Sequence, residues 1–238
     1  VVAALMMEYL SVKYEDNSFS EIKEEIEEYA KENKMEDVTV EIDERGLVIN
    51  INSADIVFPP GQAHLTPKAK KLLDQIGATI GQKFVMQLIR VDGYTDSDKV
   101  SNPLYPTNWE LSTARSCAIV RYLIDKFKFY PDIFTSAGYG ATRAVAPNDT
   151  PLNKSKNRRV QIVVLKNKFK KNEAYKDTFL KLKREEQEKI RKEQLLAISK
   201  VKGITNPNPQ PQKPAENEVP KEDKQEVIKL NDAYSNEA

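Results

Sequence analysis

Histidine and cysteine are almost missing from this chain. Among 238 residues there is one histidine, His64, and one cysteine, Cys117. A single cysteine forbids an internal disulfide and any cysteine-rich metal site. A single histidine leaves no second ring to complete a zinc set, and it is far in sequence from the one thiol it might activate. Enzymes built on a zinc triad or a Cys–His pair therefore have almost no raw material here. An excess of one charge is lacking too: 37 Lys and Arg face 36 Asp and Glu, a formal net charge of +1. No global field draws such a chain to nucleic acid or to an anionic membrane. The apolar run from Val1 to Met7 is too short to span a bilayer, and no basic segment, full apolar stretch and cleavage site mark a signal peptide.

What is present is 39% hydrophobic and 31% charged sequence, enough for one sizeable domain with polar extensions. Ser18 to Asn33 reads as an amphipathic helix with Ser18 or Ser20 at its cap and Phe19, Ile22, Ile26, Tyr29 and Ala30 on one face. Val38 to Asp43 and Leu47 to Ile51 alternate around Glu44-Arg45-Gly46, a hairpin pattern. Thr66 and Pro67 open a helix to Ile80 whose apolar face is Ala69, Leu72, Leu73, Ile76 and Ile80. Gln87 to Val91 reads as a strand, Trp109 to Phe127 as the clearest helix, Phe134 to Ala137 and Arg159 to Leu165 as strands. Between the last two lies an irregular loop with Pro147 and Pro151. The pattern is α+β, a sheet with helices on one face.

Three motifs carry chemistry: GYTD at Gly93–Asp96, NWELSTAR at Asn108–Arg115, and NRRV at Asn157–Val160. They set one acid and several bases on separate elements. A carboxylate holds an ammonium group, and a guanidinium holds a carboxylate through a planar fork. Asp96 with Arg115 therefore suits a zwitterionic end, one amine and one acid on the same carbon, held and not cut. Arg158 and Arg159 are adjacent at a strand start and point to opposite faces. At most one of the two enters the pocket, and the other suits a surface ion pair. Thr95 lines the same turn, and Asn108 suits either a helix cap or a ligand contact.

These residues resemble the OmpA-like peptidoglycan-binding domain, over roughly Val38 to Lys166. Asp96 falls at its TD position, Arg115 ends its LSxxR motif, and Asn157, Arg158 and Val160 match its NRRV, a match that implies Arg158 for the pocket and leaves Arg159 to a surface ion pair. NWELSTAR, the longer loop from Ser97 to Thr107, and FPPGQAHLTPKAKKLLDQIG from Phe58 narrow the likeness to flagellar motor stator proteins of the MotB type. The resemblance implies a βαβαββ sandwich with a mixed sheet, and a non-catalytic anchor that grips the diaminopimelate of the peptidoglycan stem peptide through Asp96 and Arg115. It also implies a homodimer, a MotA-like channel subunit as partner, and an inner-membrane protein with this region in the periplasm. On that reading Val1–Met7 is the outer end of a membrane helix. Residues 1–37 are then a membrane-proximal linker and helix, 38–166 the binding domain, and 167–202 a charged helical extension resting weakly on a partner. Residues 203–238, carrying NPNPQPQKP, form a tail too polar to bury a core.

The other chemistry-bearing residues read as structural. Trp109 is assigned to packing over sugar stacking, His64 to the surface, and Cys117 to the core. Gly138-Tyr139-Gly140 lacks the Lys-Ser/Thr of a phosphate loop, so its glycines are expected to allow positive φ in a turn. No cofactor site is indicated.

Overall fold

A computed structural model describes residues 2–52, 56–84, 86–100, 102–172 and 184–203; the tail expected beyond them lies outside the described residues. The first element is a single helix, α1 (Val2–Glu32). It is twice the length expected, because no glycine or proline occurs before Gly46 and nothing stops it upstream of Ser18. Neither serine caps it. Ser18 is buried within the helix and Ser20 donates back to the Asp16 carbonyl. Phe19, Ile22, Ile26 and Ala30 form the buried stripe. Further up, Leu5, Met6, Met7, Tyr9, Leu10, Val12 and Tyr14 are exposed. No helix among the described residues is long and apolar enough to cross a membrane.

Five strands follow: β1 (Val38–Ile42), β2 (Gly46–Ile51), β3 (Ile89–Gly93), β4 (Phe134–Gly138) and β5 (Val160–Leu165). Their order in the sheet is β1-β2-β5-β3-β4, antiparallel throughout except for the parallel β3–β4 pair. Alternation assigns the faces. Leu47, Ile49, Ile51, Ile89, Val91, Val160, Ile162 and Val164 enter the core. The opposite face carries Asn50, Gln161, Arg90 and Asp92, which bond one another in pairs: Gln161 Nε2 to Asn50 Oδ1 at 2.7 Å and Arg90 Nε to Asp92 Oδ1 at 2.8 Å.

The helical layer is α1, α2 (Pro67–Lys83), α3 (Asn108–Phe127) and, after a short α4 (Pro151–Asn157), α5 (Arg184–Lys202). Thr66 caps α2 as expected, its hydroxyl accepting from the Ala69 N–H at 3.0 Å. Within this described unit α5 packs on α2 and is no solvated extension. Gln194, fully buried, donates to the Gly81 and Phe84 carbonyls at 3.1 Å each, acceptors that the end of α2 leaves without helical partners. Ile198 joins the core, and Lys202 reaches Gln82 at 2.8 Å. The fold is the expected α+β mixed sheet with helices, with α4 added between β4 and β5.

Candidate functional site

Strand register builds the site. In the antiparallel β3–β5 pair Gly93 stands opposite Val160, so the residues leaving β3 meet those entering β5. Asp96 and Arg158 are thus brought together by the sheet itself, and Arg158 Nη1 lies 2.7 Å from Asp96 Oδ2. The other carboxylate oxygen accepts from the Asp98 N–H at 3.0 Å. Asp96 is 6% exposed, a buried acid bonded by the Arg158 guanidinium and the Asp98 N–H. Beside it Lys154 of α4 pairs with Asp98 at 2.6 Å, and that hydrogen bond, with the charge behind it, holds the Lys154 ammonium above its ordinary pKa. Two acids spaced by two therefore face two bases spaced by four, Lys154 in the last turn of α4 and Arg158 at its C-cap.

The remaining site residues brace this arrangement. Thr95 is buried; its N–H donates to the Gly140 carbonyl at 2.9 Å and its hydroxyl to the Asp96 carbonyl at 3.0 Å. The cap of α3 is Thr107, in a capping box with Glu110, and this frees the Asn108 side chain. Its Nδ2 donates to the carbonyls of Asp96 and Asp98 at 3.2 and 2.9 Å. Gly138 lets α3 approach: a β-carbon there would stand 2.4 Å from the Thr113 backbone nitrogen. The expected positive φ is found at Gly140, +51°, and close packing is what Gly138 provides.

Arg115 is seated differently. It is 3% exposed, two turns into α3. Its Nε donates to the Gln62 carbonyl at 2.9 Å and Nη2 to the Pro59 carbonyl at 3.4 Å, with the guanidinium carbon 5.1 Å from the Phe58 ring centre. The structure thus brings Asp96, Arg158, Thr95 and Asn108 together, and bonds Arg115 to the 58–62 loop. That loop is tied to the same rim by Asn102, which donates to the Gly61 carbonyl at 2.9 Å.

Arg159 does point away from Arg158, but it is no surface ion pair. At 5% exposure it lies 3.7 Å over the Tyr94 ring and donates to the Arg143 carbonyl at 2.9 Å. Burial holds its pKa below the ordinary arginine value. Trp109 is also not packed away: it is 51% exposed on the first turn of α3. His64 is exposed, and Cys117 is half-buried with its sulfur 3.3 Å from the Ser136 hydroxyl. Among the described residues no group of three or more His, Cys, Asp or Glu is placed to hold a metal ion. Lys154 was missed by the sequence reading, along with the helix that carries it. The signal was present: Thr150-Pro151 repeats the Thr66-Pro67 cap, and Thr150 accepts from the Asn153 N–H at 3.2 Å.

Residues 57–158 match the sequence model of the OmpA family; the protein carries an OmpA-family domain. It is 34% identical over 157 residues to the uncharacterized protein YtxE of Bacillus subtilis, covering 66% of this chain and 64% of that one. Motility protein B of the same organism is 30% identical over 145 residues, 60% of this chain and 55% of that protein. The chain thus spans less than two thirds of the length of either relative. Among solved structures, the cell wall anchor of the type VI secretion system from Pseudomonas aeruginosa superposes with a TM-score of 0.52 at 29% identity. That match covers 57% of this chain and 92% of the anchor.

Proposed function

We propose that the cleft at the end of β3 holds the free zwitterionic end of diaminopimelate in a peptidoglycan stem peptide. The observation that carries this is the Asp96–Arg158 pair, a buried acid and a partly exposed guanidinium joined at 2.7 Å. A ligand ammonium takes the place of the guanidinium at Asp96, and the freed Arg158 fork takes the ligand carboxylate. One ion pair is exchanged for two, so binding selects a ligand in which both charges sit on one carbon. Arg115 fixes the 58–62 rim and supplies a second guanidinium to the acid side. Thr95 and Asn108 keep the Asp96 turn in place. Holding is the whole task, and no bond is broken.

On this reading the protein is a periplasmic wall anchor of a flagellar stator, dimeric and tied to a MotA-like channel subunit, so that torque passes to the wall. The likeness to motility protein B supports the motor assignment. The likeness to a secretion-system cell wall anchor supports a second reading, an envelope anchor outside the motor. Titration with two muropeptides tests the site. One ends in diaminopimelate, the other in lysine, which keeps the side-chain amine and lacks the carboxylate. Tight binding to the first and loss of at least about tenfold, roughly 1.4 kcal/mol, with the second is expected; equal binding would overturn the zwitterion model. Loss of motility on deletion, with cells otherwise intact, separates the motor from the other envelope role.

A further inference from the structure

The peptide units around Ser97 are gripped from both sides by asparagine side chains. Asn108 Nδ2 takes the two carbonyls that flank Ser97, those of Asp96 and Asp98. On the other side the Asn148 Oδ1 accepts from the Ser97 N–H at 3.1 Å. That same oxygen accepts from Asn157 Nδ2 at 3.0 Å. Asn157 is fully buried and bonded through both ends of its amide. Its oxygen takes the Val145 and Ala146 N–H groups at 2.8 and 3.0 Å, and its nitrogen also reaches the Ala146 carbonyl at 2.8 Å.

We propose that Asn148 is a positioning residue for the acid site: it aims the Asp96 carboxylate without itself touching ligand. The inference rests on the Asp96 cleft being the binding site. Its physical basis is the leverage of a turn. Asp96 Oδ1 already accepts from the Asp98 N–H, so the carboxylate orientation follows the peptide planes of residues 96–98. Those planes have no strand partner beyond Gly93, the last residue of β3. Their side-chain anchors are Asn108 and Thr95 on the carbonyl side and Asn148 on the N–H side of Ser97. Asn157, one residue before Arg158, fixes Asn148 in turn. One chain of bonds thus sets both members of the Asp96–Arg158 pair against each other. Near-attack precision is not needed for binding, but an ammonium at a buried acid tolerates little displacement.

The role is that of a hydrogen-bond acceptor, which makes a sharp test possible. Asn148→Ala removes the oxygen; Asn148→Asp keeps an acceptor for both donors. Because Asn148 is only half-buried, both variants are expected to fold. Amide hydrogen exchange at Ser97 is measured in the ligand-free protein, and affinity is measured with the diaminopimelate muropeptide. In Asn148→Ala the Ser97 amide should exchange at least about tenfold faster, and affinity should fall about tenfold with no change in melting temperature. Asn148→Asp should restore both. Unchanged Ser97 exchange in the alanine variant, or an aspartate variant that behaves like alanine, overturns the proposal. Failure of the wild-type protein to bind the muropeptide would instead sink the ligand assignment, and the Ser97 exchange would still decide whether Asn148 holds the turn.

Discussion

Replacing Asp96 with Asn leaves shape and volume nearly unchanged and removes one charge, so it isolates what the Asp96–Arg158 pair contributes. Asn keeps an oxygen for the Asp98 N–H and loses the charged acceptor for Arg158 Nη1. A hydrogen bond between charged groups contributes about 1.5–3 kcal/mol. Breaking a fully buried pair costs more, about 3–5 kcal/mol, because the surviving charge stays desolvated. The Arg158 side chain is 25% exposed, against 9% for Asp96, so water recovers part of its solvation and the lower range applies. At about 2–4 °C per kcal/mol for a domain of this size, the melting temperature should fall by about 3–12 °C. A solvent-facing carboxylate would have shifted it hardly at all; burial changes the expectation. Muropeptide affinity should fall at least about tenfold, since an amide cannot neutralise the ligand ammonium. The assay is thermal denaturation with calorimetric titration, run also on Arg158→Gln and on the double variant, whose non-additivity gives the pair energy directly. Wild-type binding by Asp96→Asn would refute the receptor. An unchanged melting temperature with zero coupling would refute the energetic role of the pair and leave the receptor standing.

Other expectations follow from single contacts. Arg115→Lys keeps the charge but cannot reproduce the planar fork that reaches the Gln62 and Pro59 carbonyls together, so affinity should fall about tenfold and stability by about 1–2 kcal/mol, read by titration and denaturant unfolding. Gly138→Ala drives a methyl group against the Thr113 backbone and should cost about 1–3 kcal/mol or more, with affinity reduced because α3 is pushed off the sheet; equal stability would mean that α3 can shift freely. Gln194→Ala leaves the Gly81 and Phe84 carbonyls without that donor and should cost about 1–3 kcal/mol in denaturant unfolding while muropeptide binding stays unchanged.

Much of the fold was legible because local signals and the burial pattern agree. Thr66-Pro67 caps α2, the alternation of Leu47, Ile49 and Ile51 gives β2, and the apolar stripe from Leu111 to Leu123 gives α3. One element, α4, and the packing of another, α5, escaped for opposite reasons. In α4 the cap signal was there, but seven residues are too few for a periodic stripe. In α5 the buried contact is made by Gln194 and Ile198 amid Lys, Arg and Glu, so the composition speaks of solvent. A glutamine buried to satisfy another helix's carbonyls carries no hydrophobic signature at all. The upper part of α1 was misplaced because serine suggested a cap where an unbroken helix had no reason to stop.

In the site, residue identity was readable and pairing was not. Motif order selected Asp96, Arg115 and Arg158, yet which base meets which acid depends on the β3–β5 register, and a one-residue slip there would turn Arg159 toward the acid in place of Arg158. The motifs set Asp96 and Arg115 at the two ends of a ligand; that Arg158 itself meets Asp96 at 2.7 Å follows from the antiparallel pair. The backbone clamp was hidden more deeply, because Asn148 belongs to no motif and lies 51 residues from the N–H it holds. Polar residues that act on the main chain leave no periodicity and no charge pattern behind. They surface only when the hydrogen bonds of an irregular turn are followed one by one to their donors and acceptors.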